Sequence, residues 1–251
     1  MDLVSIITPY FRKKEFFKQT IKSVQNQTYK NIEMIVIYDD ENLDDLNFIQ
    51  SIVRKDKRIR IIINKKNVGA GISRNIGIKK AKGDYIAFLD ADDIWHKDKI
   101  STQIKIMKKN NFYASHTSYN IINKQNRIIG GRKAENFFTI DKLLKSCDIG
   151  CSTVVLRKKL INSNCKFSKQ KTKEDFILWL KILQKNVHFF AIKKELSNWR
   201  KSDNNLSSSI IQKLKDGYNV YRIHMKFSFL KSMIYLMILS VNYIIKSIKN
   251  R

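Results

Sequence analysis

Three aspartates, Asp90, Asp92 and Asp93, follow directly on the apolar run at residues 85–89. A continuous apolar run of this length, bounded by turn residues, predicts a buried strand of a parallel sheet. The carboxyl ends of such strands are where open α/β sheets bind ligands. Carboxylate oxygens there suit Mg²⁺ or Mn²⁺, and Mg²⁺ is usually shared with substrate phosphates. The segment alone fits a polar turn with helix-capping aspartates equally well.

Two more acids follow another apolar run in the same way. Asp39 and Asp40 come directly after residues 32–38, and Thr8 ends the first apolar run at residues 3–8. If each run is a parallel strand, right-handed crossovers place all of these residues at one edge of the sheet. Side chains that are far apart in the sequence could then share one crevice.

A separate pair of acids, Glu174 and Asp175, lies at the start of a predicted helix at residues 173–184. Acids at a helix N-terminus are commonly explained by the helix dipole alone. A carboxylate outside a metal site could instead remove the proton from an attacking hydroxyl. Arg74 lies in another predicted helix, where it is either a fixed positive charge for a ligand or an ordinary surface residue.

The first hundred residues hold these side chains on alternating strand and helix patterns. The predicted strands are residues 3–8, 32–38, 59–63 and 85–89, the first of them stopped by Pro9. The predicted helices are residues 14–25, 43–54 and 70–82, the last capped by Gly83. This alternation predicts βαβ units and an α/β fold with a mostly parallel sheet flanked by helices.

The following section, up to residue 160, is less regular. Short apolar runs predict strands at residues 113–118, 127–131 and 152–156 and a short helix at residues 141–145. The helix at residues 173–184 has a broad apolar face that includes Trp179. We therefore expect Trp179 to belong to the core and not to a sugar-binding platform.

The chain has a helical pattern from Ser207 onward. Residues 232–245 are rich in apolar side chains and lie between Lys226 and Lys231 on one side and Lys246 on the other. The apolar stretch is short for a bilayer span and fits an interfacial amphipathic helix on an anionic membrane surface. A helix docked on the domain, or on a partner subunit of a homo-oligomer, fits the same pattern.

Composition limits the partners and the compartment. The chain has 251 residues, 43% of them hydrophobic, and a formal net charge of +27, which implies nucleic acid, acidic lipid or nucleotide phosphates as partners. The three cysteines, Cys147, Cys151 and Cys165, lack zinc-type spacing and predict free thiols in a reducing compartment. The N-terminal residues show no signal-peptide pattern, so we expect a cytoplasmic protein.

Several functional classes lack their motifs in this sequence. Gly69-Ala70-Gly71 is not followed by the third glycine of a dinucleotide fingerprint, and neither a P-loop nor a G-x-S-x-G elbow occurs. The aromatic residues are not interleaved with basic ones as in stacking platforms, so no nucleic-acid partner is expected. The strand-end acids, Arg74 and the later acid pair suit a metal-assisted transfer from a nucleoside diphosphate donor. A nucleotidyltransferase would use similar groups.

An ordered set of segments resembles the family 2 glycosyltransferases of the GT-A fold. These segments are residues 4–10, 20–29, 33–40, 73–77, 83–93, 152–154, 174–180 and Trp199-Arg200. The resemblance implies inverting transfer of a sugar from a nucleotide sugar, usually a UDP-sugar. The acceptor would be a hydroxyl of a growing surface glycan, such as capsule, lipopolysaccharide or a lipid-linked oligosaccharide.

The resemblance also implies a role for each matching residue. Asp175 would be the catalytic base, and Asp90 and Asp92 would hold Mn²⁺ or Mg²⁺, with Asp92 as the more direct ligand. The donor would contact Thr8, Pro9, Tyr10, Asp40, Arg74, Asp90 and Arg200. Four roles stay open, those of Asp39, Asp93, Glu174 and Trp199. Glu41-Asn42 stand where the family commonly has Gly-Ser, so the nucleoside-side loop departs from the family pattern.

These patterns predict a GT-A domain at residues 1–205 and a basic amphipathic helical region at residues 206–251. Within the domain, residues 1–100 would bind the nucleotide sugar and residues 101–205 the acceptor. The expected location is the inner face of the cell membrane, with the helical region on the lipid surface. A protein of the same fold that binds nucleotide sugar without catalysis is the main rival.

Overall fold

The computed structural model describes residues 1–201 and 210–249. The strands are β1 (Val4–Tyr10), β2 (Ile32–Tyr38), β3 (Ile59–Ile63), β4 (Tyr85–Phe88), β5 (Ile94–Trp95), β6 (Ala114–Ile122), β7 (Ile128–Arg132), β8 (Val155–Arg157) and β9 (Phe189–Arg200). The α-helices are α1 (Lys14–Gln25), α2 (Leu43–Val53), α3 (Ala70–Lys80), α4 (Lys99–Lys109), α5 (Ile140–Leu144), α6 (Glu174–Leu183), α7 (Ile210–Asn219) and α8 (Phe229–Lys249). The predicted domain boundary at 205/206 and the predicted helical start at Ser207 lie outside the described residues.

The strands of the described part form one mixed sheet in the order β3-β2-β1-β4-β8-β6-β9-β5, with β7 paired to β6. The pairs β2–β3, β1–β2 and β1–β4 are parallel, as the alternating pattern of the first hundred residues predicts. Beyond β4 the sheet is mixed, because β8 runs antiparallel to β4 and to β6. The α/β class and the flanking helices are confirmed. Parallel pairing is continuous from β3 to β4, and in the second half of the sheet β6 and β9 are also parallel.

Both faces of this sheet are buried. Neighbouring residues of one strand belong to different core clusters, because successive side chains of a strand point to opposite faces. Ile6 and Ala87 belong to the cluster that contains Phe17 of α1. Ile7 and Phe88 belong to the cluster that contains Trp179 of α6. Trp179 is fully buried, so its predicted place in the core is confirmed.

Pro9 does not stop β1, contrary to the prediction. The strand continues to Tyr10, and Pro9 pairs in register with Ile37 of β2. On its other side β1 pairs with β4 only as far as Ile7. Proline lacks the N–H that a strand partner would need, and it is tolerated here because β4 has already ended.

Gly83 does not cap α3, which ends at Lys80. A Cβ atom at Gly83 would lie 2.6 Å from the carbonyl oxygen of Leu3 and 2.7 Å from Ser5 Oγ. The Gly83 N–H donates to Ser5 Oγ at 2.8 Å. The residue is therefore glycine because the backbone enters β4 directly against β1, and not because a helix ends there.

Three long elements differ from the sequence interpretation. Strand β9 and helix α4 were not predicted, although β9 belongs to the sheet and α4 packs on it. Helix α8 is 21 residues long, which makes it longer than the predicted stretch at residues 232–245. Within it, Phe229–Lys246 is long and apolar enough to cross a membrane by length and composition, although only 11% of that window is buried.

Candidate active site

A deep cleft lies along the carboxyl edge of β1, β2 and β4. Pro9, Asp39 and Asp90, which each sit at the end of one of these strands, line it. Loop residues 67–69 and 168–173 and one face of α8 also contribute to its walls. The cationic side chains on the lining are Arg12, Lys13, Arg74, Arg132, Lys169, Lys171, Lys173, Lys201, Lys213 and Lys246. A cleft with this many positive charges at this edge of an α/β sheet suits an anionic ligand.

Arg74 of α3 joins two acids across this cleft. Its guanidinium donates to Asp90 Oδ1 and to Glu174 Oε1, both at 2.6 Å. Only 4% of the Arg74 side chain is exposed, and its Cζ atom lies 5.2 Å from the centroid of the Phe167 ring. Arg74 is therefore not an ordinary surface residue, because it is a buried cation that fixes the distance between β4 and the start of α6.

Of the two acids at the start of α6, Glu174 is buried and Asp175 is more accessible. Burial raises the pKa of Glu174 to about 7, and this effect exceeds the opposing one of Arg74. Asp175 lines the cleft, and one of its oxygens accepts the Phe176 N–H at 2.7 Å. Burial also raises the pKa of Asp175, and Arg74 opposes the shift. Asp175 has the freer carboxylate, while Glu174 is engaged with Arg74.

The three aspartates after β4 have different surroundings. Asp90 is the most exposed, with 31% of its side chain accessible. Asp92 pairs with Lys13 Nζ at 2.7 Å, and burial raises its pKa although Lys13 opposes the shift. Asp93 is buried, and it accepts from Ser152 Oγ at 2.5 Å and from the backbone N–H at position 200 at 2.9 Å. Asp93 therefore anchors the strand end, and Asp90 and Asp92 face the cleft more openly.

Asp39 shapes the loop that leads into α3. Its carboxylate accepts the backbone N–H groups of Val68 and Gly69 at 2.9 and 2.8 Å and the Asn64 side-chain amide at 2.7 Å. Gly69 has φ +84°, a conformation that L side chains rarely adopt, so the tight approach to α3 needs glycine here. The turn-shaping interpretation of Asp39 agrees with these contacts, and Asp39 also lines the cleft.

Only some of the predicted donor-contacting residues at the ends of β1 and β2 line the cleft. Pro9 and Tyr10 line the cleft, whereas Thr8 and Asp40 are not among its lining residues. The Tyr10 hydroxyl donates to Asp45 Oδ2 at 2.6 Å. Thr8 is fully buried, and its hydroxyl has no hydrogen-bond partner within residues 1–201 and 210–249. The proposed contacts of these residues with a donor stay predictions.

Arg200 lies behind the cleft and not in it. Trp199 and Lys201 line the cleft, and the side chain between them points to the opposite side, as alternation along β9 requires. Arg200 is fully buried, with its Cζ atom 4.4 Å from the centroid of the Phe16 ring. Its five N–H donors reach Gln19 Oε1, Asp92 O, Asn123 O, Lys124 O and Asn126 Oδ1 at 2.8–3.3 Å. The Arg200 guanidinium therefore does not face the cleft, and its predicted contact with a diphosphate stays a prediction.

Several cleft residues were not singled out from the sequence. Lys13 precedes α1 and holds Asp92, and the basic loop at residues 168–173 leads into Glu174. Asp216 of α7 supports this loop, because its carboxylate accepts the backbone N–H and the hydroxyl of Thr172 at 3.0 and 2.9 Å. The lysine spacing just before Glu174 was a signal for the loop, whereas nothing in the sequence pairs Asp216 with Thr172.

A divalent cation fits Asp90 and Asp92, provided that substrate phosphates complete its coordination. Within residues 1–201 and 210–249, no group of three or more His, Cys, Asp or Glu side chains could hold a metal ion on its own. Mg²⁺ in particular is commonly bound by one or two carboxylates plus phosphate oxygens. Asp90 is exposed to the cleft, and only one of its oxygens is engaged by Arg74. This donor set suits a cation that arrives with a diphosphate.

Comparisons with known proteins agree with this arrangement. A glycosyltransferase of Rickettsia felis, described as uncharacterized, is 42% identical over 201 residues, which are 78% of this chain and 33% of that protein. The chain thus spans about a third of the length of that relative. The Escherichia coli protein WfgD, named UDP-Glc:alpha-D-GlcNAc-diphosphoundecaprenol beta-1,3-glucosyltransferase, is 40% identical over 220 residues, which are 87% of this chain and 85% of that protein.

A structural match supports the fold. Staphylococcus aureus TarS in complex with UDP-GlcNAc superposes with a TM-score of 0.74 at 19% identity, over 94% of this chain and 70% of that one. A likeness at this identity shows the fold alone, and it confirms the predicted GT-A architecture. The family model described as Glycosyl transferase family 2 matches residues 5–165, so the chain belongs to glycosyl transferase family 2.

Proposed function

We propose that this chain is an inverting glycosyltransferase that moves a sugar from a UDP-sugar to a hydroxyl of a lipid-linked surface glycan. The observation that carries the proposal is the Arg74 bridge, which holds the strand-end acid Asp90 and the start of α6 on one cleft. The donor class is supported by TarS, whose structures contain UDP and UDP-GlcNAc. The acceptor class is supported by WfgD, whose name specifies a GlcNAc-diphosphoundecaprenol acceptor.

Asp175 is the proposed base. Its carboxylate would take the proton of the acceptor hydroxyl while that oxygen forms a bond to the anomeric carbon of the donor sugar. The bond from that carbon to the UDP oxygen breaks on the opposite side, so the configuration inverts and UDP leaves. Burial raises the pKa of Asp175, which makes its carboxylate a stronger proton acceptor than an ordinary aspartate.

Asp90 and Asp92 are the proposed contacts for the donor and for Mg²⁺ or Mn²⁺. A divalent cation there would offset the charge that develops on the diphosphate leaving group. Lys13 holds Asp92 at 2.7 Å, and Arg74 holds Asp90 at 2.6 Å, so both carboxylates are fixed before a ligand enters. Fixed groups cost no reorganisation during the reaction.

The two halves of the chain have different roles in this proposal. Residues 1–100 would bind the nucleotide, and residues 101–205 would supply the base and the acceptor side. The proposed location is the cytoplasmic face of the membrane, where a diphospholipid-linked acceptor and a soluble nucleotide sugar can meet.

A donor and acceptor screen tests the proposal. Purified chain would be incubated with UDP-sugars and GlcNAc-diphosphoundecaprenol, or a short-chain analogue of it, and released UDP and glycolipid product would be measured. We expect one UDP-sugar to give both products in equal amounts, with the new linkage inverted relative to the donor and with loss of turnover in EDTA. Release of pyrophosphate would instead favour a nucleotidyltransferase. UDP binding without turnover on any acceptor would favour a binding protein of the same fold.

A further inference from the structure

The outward side of α8 carries an apolar stripe. We define the outer stripe as Leu230, Met233, Ile234, Met237, Val241 and Ile245. Each of these side chains is at least 42% exposed, and Leu230 and Met237 are 70% and 67% exposed. Their spacing of three and four residues places them on one side of the helix. An exposed apolar surface of this extent marks an interaction site.

The inward side of the same helix is fixed to the domain. Ser232 and Leu239, seven residues apart, are buried. The Asn242 side-chain amide donates to the carbonyl of Lys145 at 2.8 Å, and Lys246 forms an ion pair with Asp148. Because Leu239 packs in the core and residues 242 and 246 are tied to the loop after α5, α8 lies on the protein surface. A membrane-spanning arrangement would break these contacts.

The charges around the outer stripe are positive. Exposed Arg222, Lys226 and Lys231 lie at the end of α8 where the stripe begins. Asp216 is the only acid in the sequence from 210 to 249, and it is buried against Thr172. An apolar stripe beside exposed cations matches the acyl and headgroup layers of an anionic bilayer.

A second copy of the chain is a poorer occupant of the outer stripe. Two α8 helices that paired through their stripes would bring the cations at Lys226 and Lys231 toward the cations of the other copy. No exposed acid in the described residues of α7 or α8 would compensate them. Like charges across an interface are unfavourable, whereas anionic headgroups neutralise the same cations.

Helix α8 also connects the outer stripe to the cleft. Leu236, Leu239, Ser240 and Tyr243 lie between the stripe and the cleft and line the cleft wall. A helix lying in the headgroup layer with its stripe downward would therefore place this wall of the cleft directly beside the bilayer. A lipid-linked acceptor would then reach Asp175 without leaving the membrane.

We propose that α8 lies in the plane of an anionic membrane through the outer stripe and the cations at Arg222, Lys226 and Lys231, so that its inner face presents the cleft to lipid-linked acceptors. The part of this proposal that concerns the acceptor rests on the proposed function, whereas the binding of lipid does not. No residue of the outer stripe as defined lines the cleft. The stripe can therefore be changed without touching the proposed catalytic groups.

Vesicle co-sedimentation of the full chain tests the binding. The wild type would be compared with Ile234→Glu/Met237→Glu, using vesicles of phosphatidylglycerol and phosphatidylcholine or of phosphatidylcholine alone. The matched control is Leu43→Glu/Ile128→Glu, which adds the same charge at exposed apolar residues outside α8. We expect the stripe variant to lose at least ~10-fold in vesicle affinity and the control to bind like the wild type. Wild-type binding should also require phosphatidylglycerol and weaken with salt.

Three outcomes would overturn the proposal. The first is equal vesicle binding by the stripe variant and the wild type. The second is resistance of the bound wild type to extraction by alkaline carbonate, which indicates a spanning helix. The third is a wild-type dimer that the stripe substitutions dissociate, without any vesicle binding. Transfer assays separate this proposal from the proposed function. The stripe variant should keep transfer to a short-chain soluble acceptor and lose transfer to the same acceptor group in vesicles. Absence of transfer to both acceptors by the wild type would reject the proposed function alone.

Discussion

Arg74 donates a 2.6 Å hydrogen bond to Glu174 Oε1, although the two residues are 100 positions apart in the chain. The same guanidinium holds Asp90 at the end of β4, so one buried cation connects the predicted nucleotide-binding half to the helix that carries Asp175. The relative position of the two proposed reacting sides, donor and base, therefore depends on one residue of α3.

Removal of this cation should cost stability as well as activity. Arg74→Met would leave Glu174 buried without its partner, and breaking a buried ion pair in this way destabilises a protein by about 3 kcal/mol or more. The measurement is the free energy of urea unfolding. The double variant Arg74→Met/Glu174→Gln should recover a large part of the loss, because a neutral amide is cheaper to bury. Equal stability of the wild type and Arg74→Met would contradict the importance of the bridge.

Glu174 should make stability depend on pH in an unusual direction for an acid. Its pKa is raised from 4.5 to about 7, so between these values the folded state binds a proton that the unfolded state has released. The stabilisation that this proton provides is fully present below the unfolded pKa and is lost as the pH rises through the folded pKa. The free energy of unfolding of the wild type, relative to Glu174→Gln, should therefore fall from about pH 5 to about pH 7 and then level off. A relative stability that rises over this window would show that the attraction of Arg74 outweighs burial.

The sequence predicts the first half of the fold well because local and long-range signals agree there. The continuous apolar runs that form β2 and β4 are buried on both faces, and turn residues separate them from amphipathic helices. Strand β9 is different, because Lys193, Lys194 and Glu195 interrupt its apolar pattern and are exposed in the structure. Its pairing with β6 comes from tertiary packing, which periodicity does not reveal.

The candidate site could also be predicted only in part from the sequence. The acids at the strand ends could be found from their position after apolar runs, because parallel strands bring their carboxyl ends to one edge. The side chain of Arg200 could not be placed, since its five acceptors come from α1, from the β4–β5 connection and from the β6–β7 turn. A one-residue shift along a strand moves a side chain to the other face, and the sequence alone does not fix that face for Trp199 and Arg200.

Arg200 should behave as a structural residue. Its buried guanidinium donates to three backbone carbonyls, so Arg200→Met should lower the free energy of unfolding by about 3 kcal/mol. Arg200→Lys should also lower it, because an ammonium group cannot reach all five acceptors. Chemical unfolding and UDP titration of both variants check this, with exposed Arg127→Met as the control. A lysine variant of normal stability with weakened UDP binding would instead support the predicted contact with the diphosphate.

Asp216 should act as a positioning residue for the loop before Glu174. Its Oδ2 atom accepts from both the N–H and the hydroxyl of Thr172, so Asp216→Ala would remove both hydrogen bonds, whereas Asp216→Asn would keep one accepting oxygen. For Asp216→Ala we expect a loss of about 10-fold in kcat for transfer, with the affinity for UDP little changed, because the base moves and the strand-end acids do not. Asp141→Ala, at an exposed residue, is the matched control. A parallel loss of thermal stability and of UDP binding, with kcat preserved in the folded fraction, would show a merely structural role.

Asp175→Asn gives the sharpest division between base and binding site. The amide keeps the shape of the side chain and cannot accept the proton of the acceptor hydroxyl, so kcat should fall by about 10³-fold while UDP binding stays near the wild-type value.

Asp92→Asn should show the opposite pattern, with weaker metal-dependent UDP binding, because it changes a proposed ligand of the diphosphate-bound cation. Glu174→Gln keeps one oxygen for Arg74 and should lose less activity than Asp175→Asn, since Glu174 is engaged in the ion pair and Asp175 is the more exposed of the two. If Glu174→Gln abolished transfer and Asp175→Asn did not, the two acids would have to exchange roles.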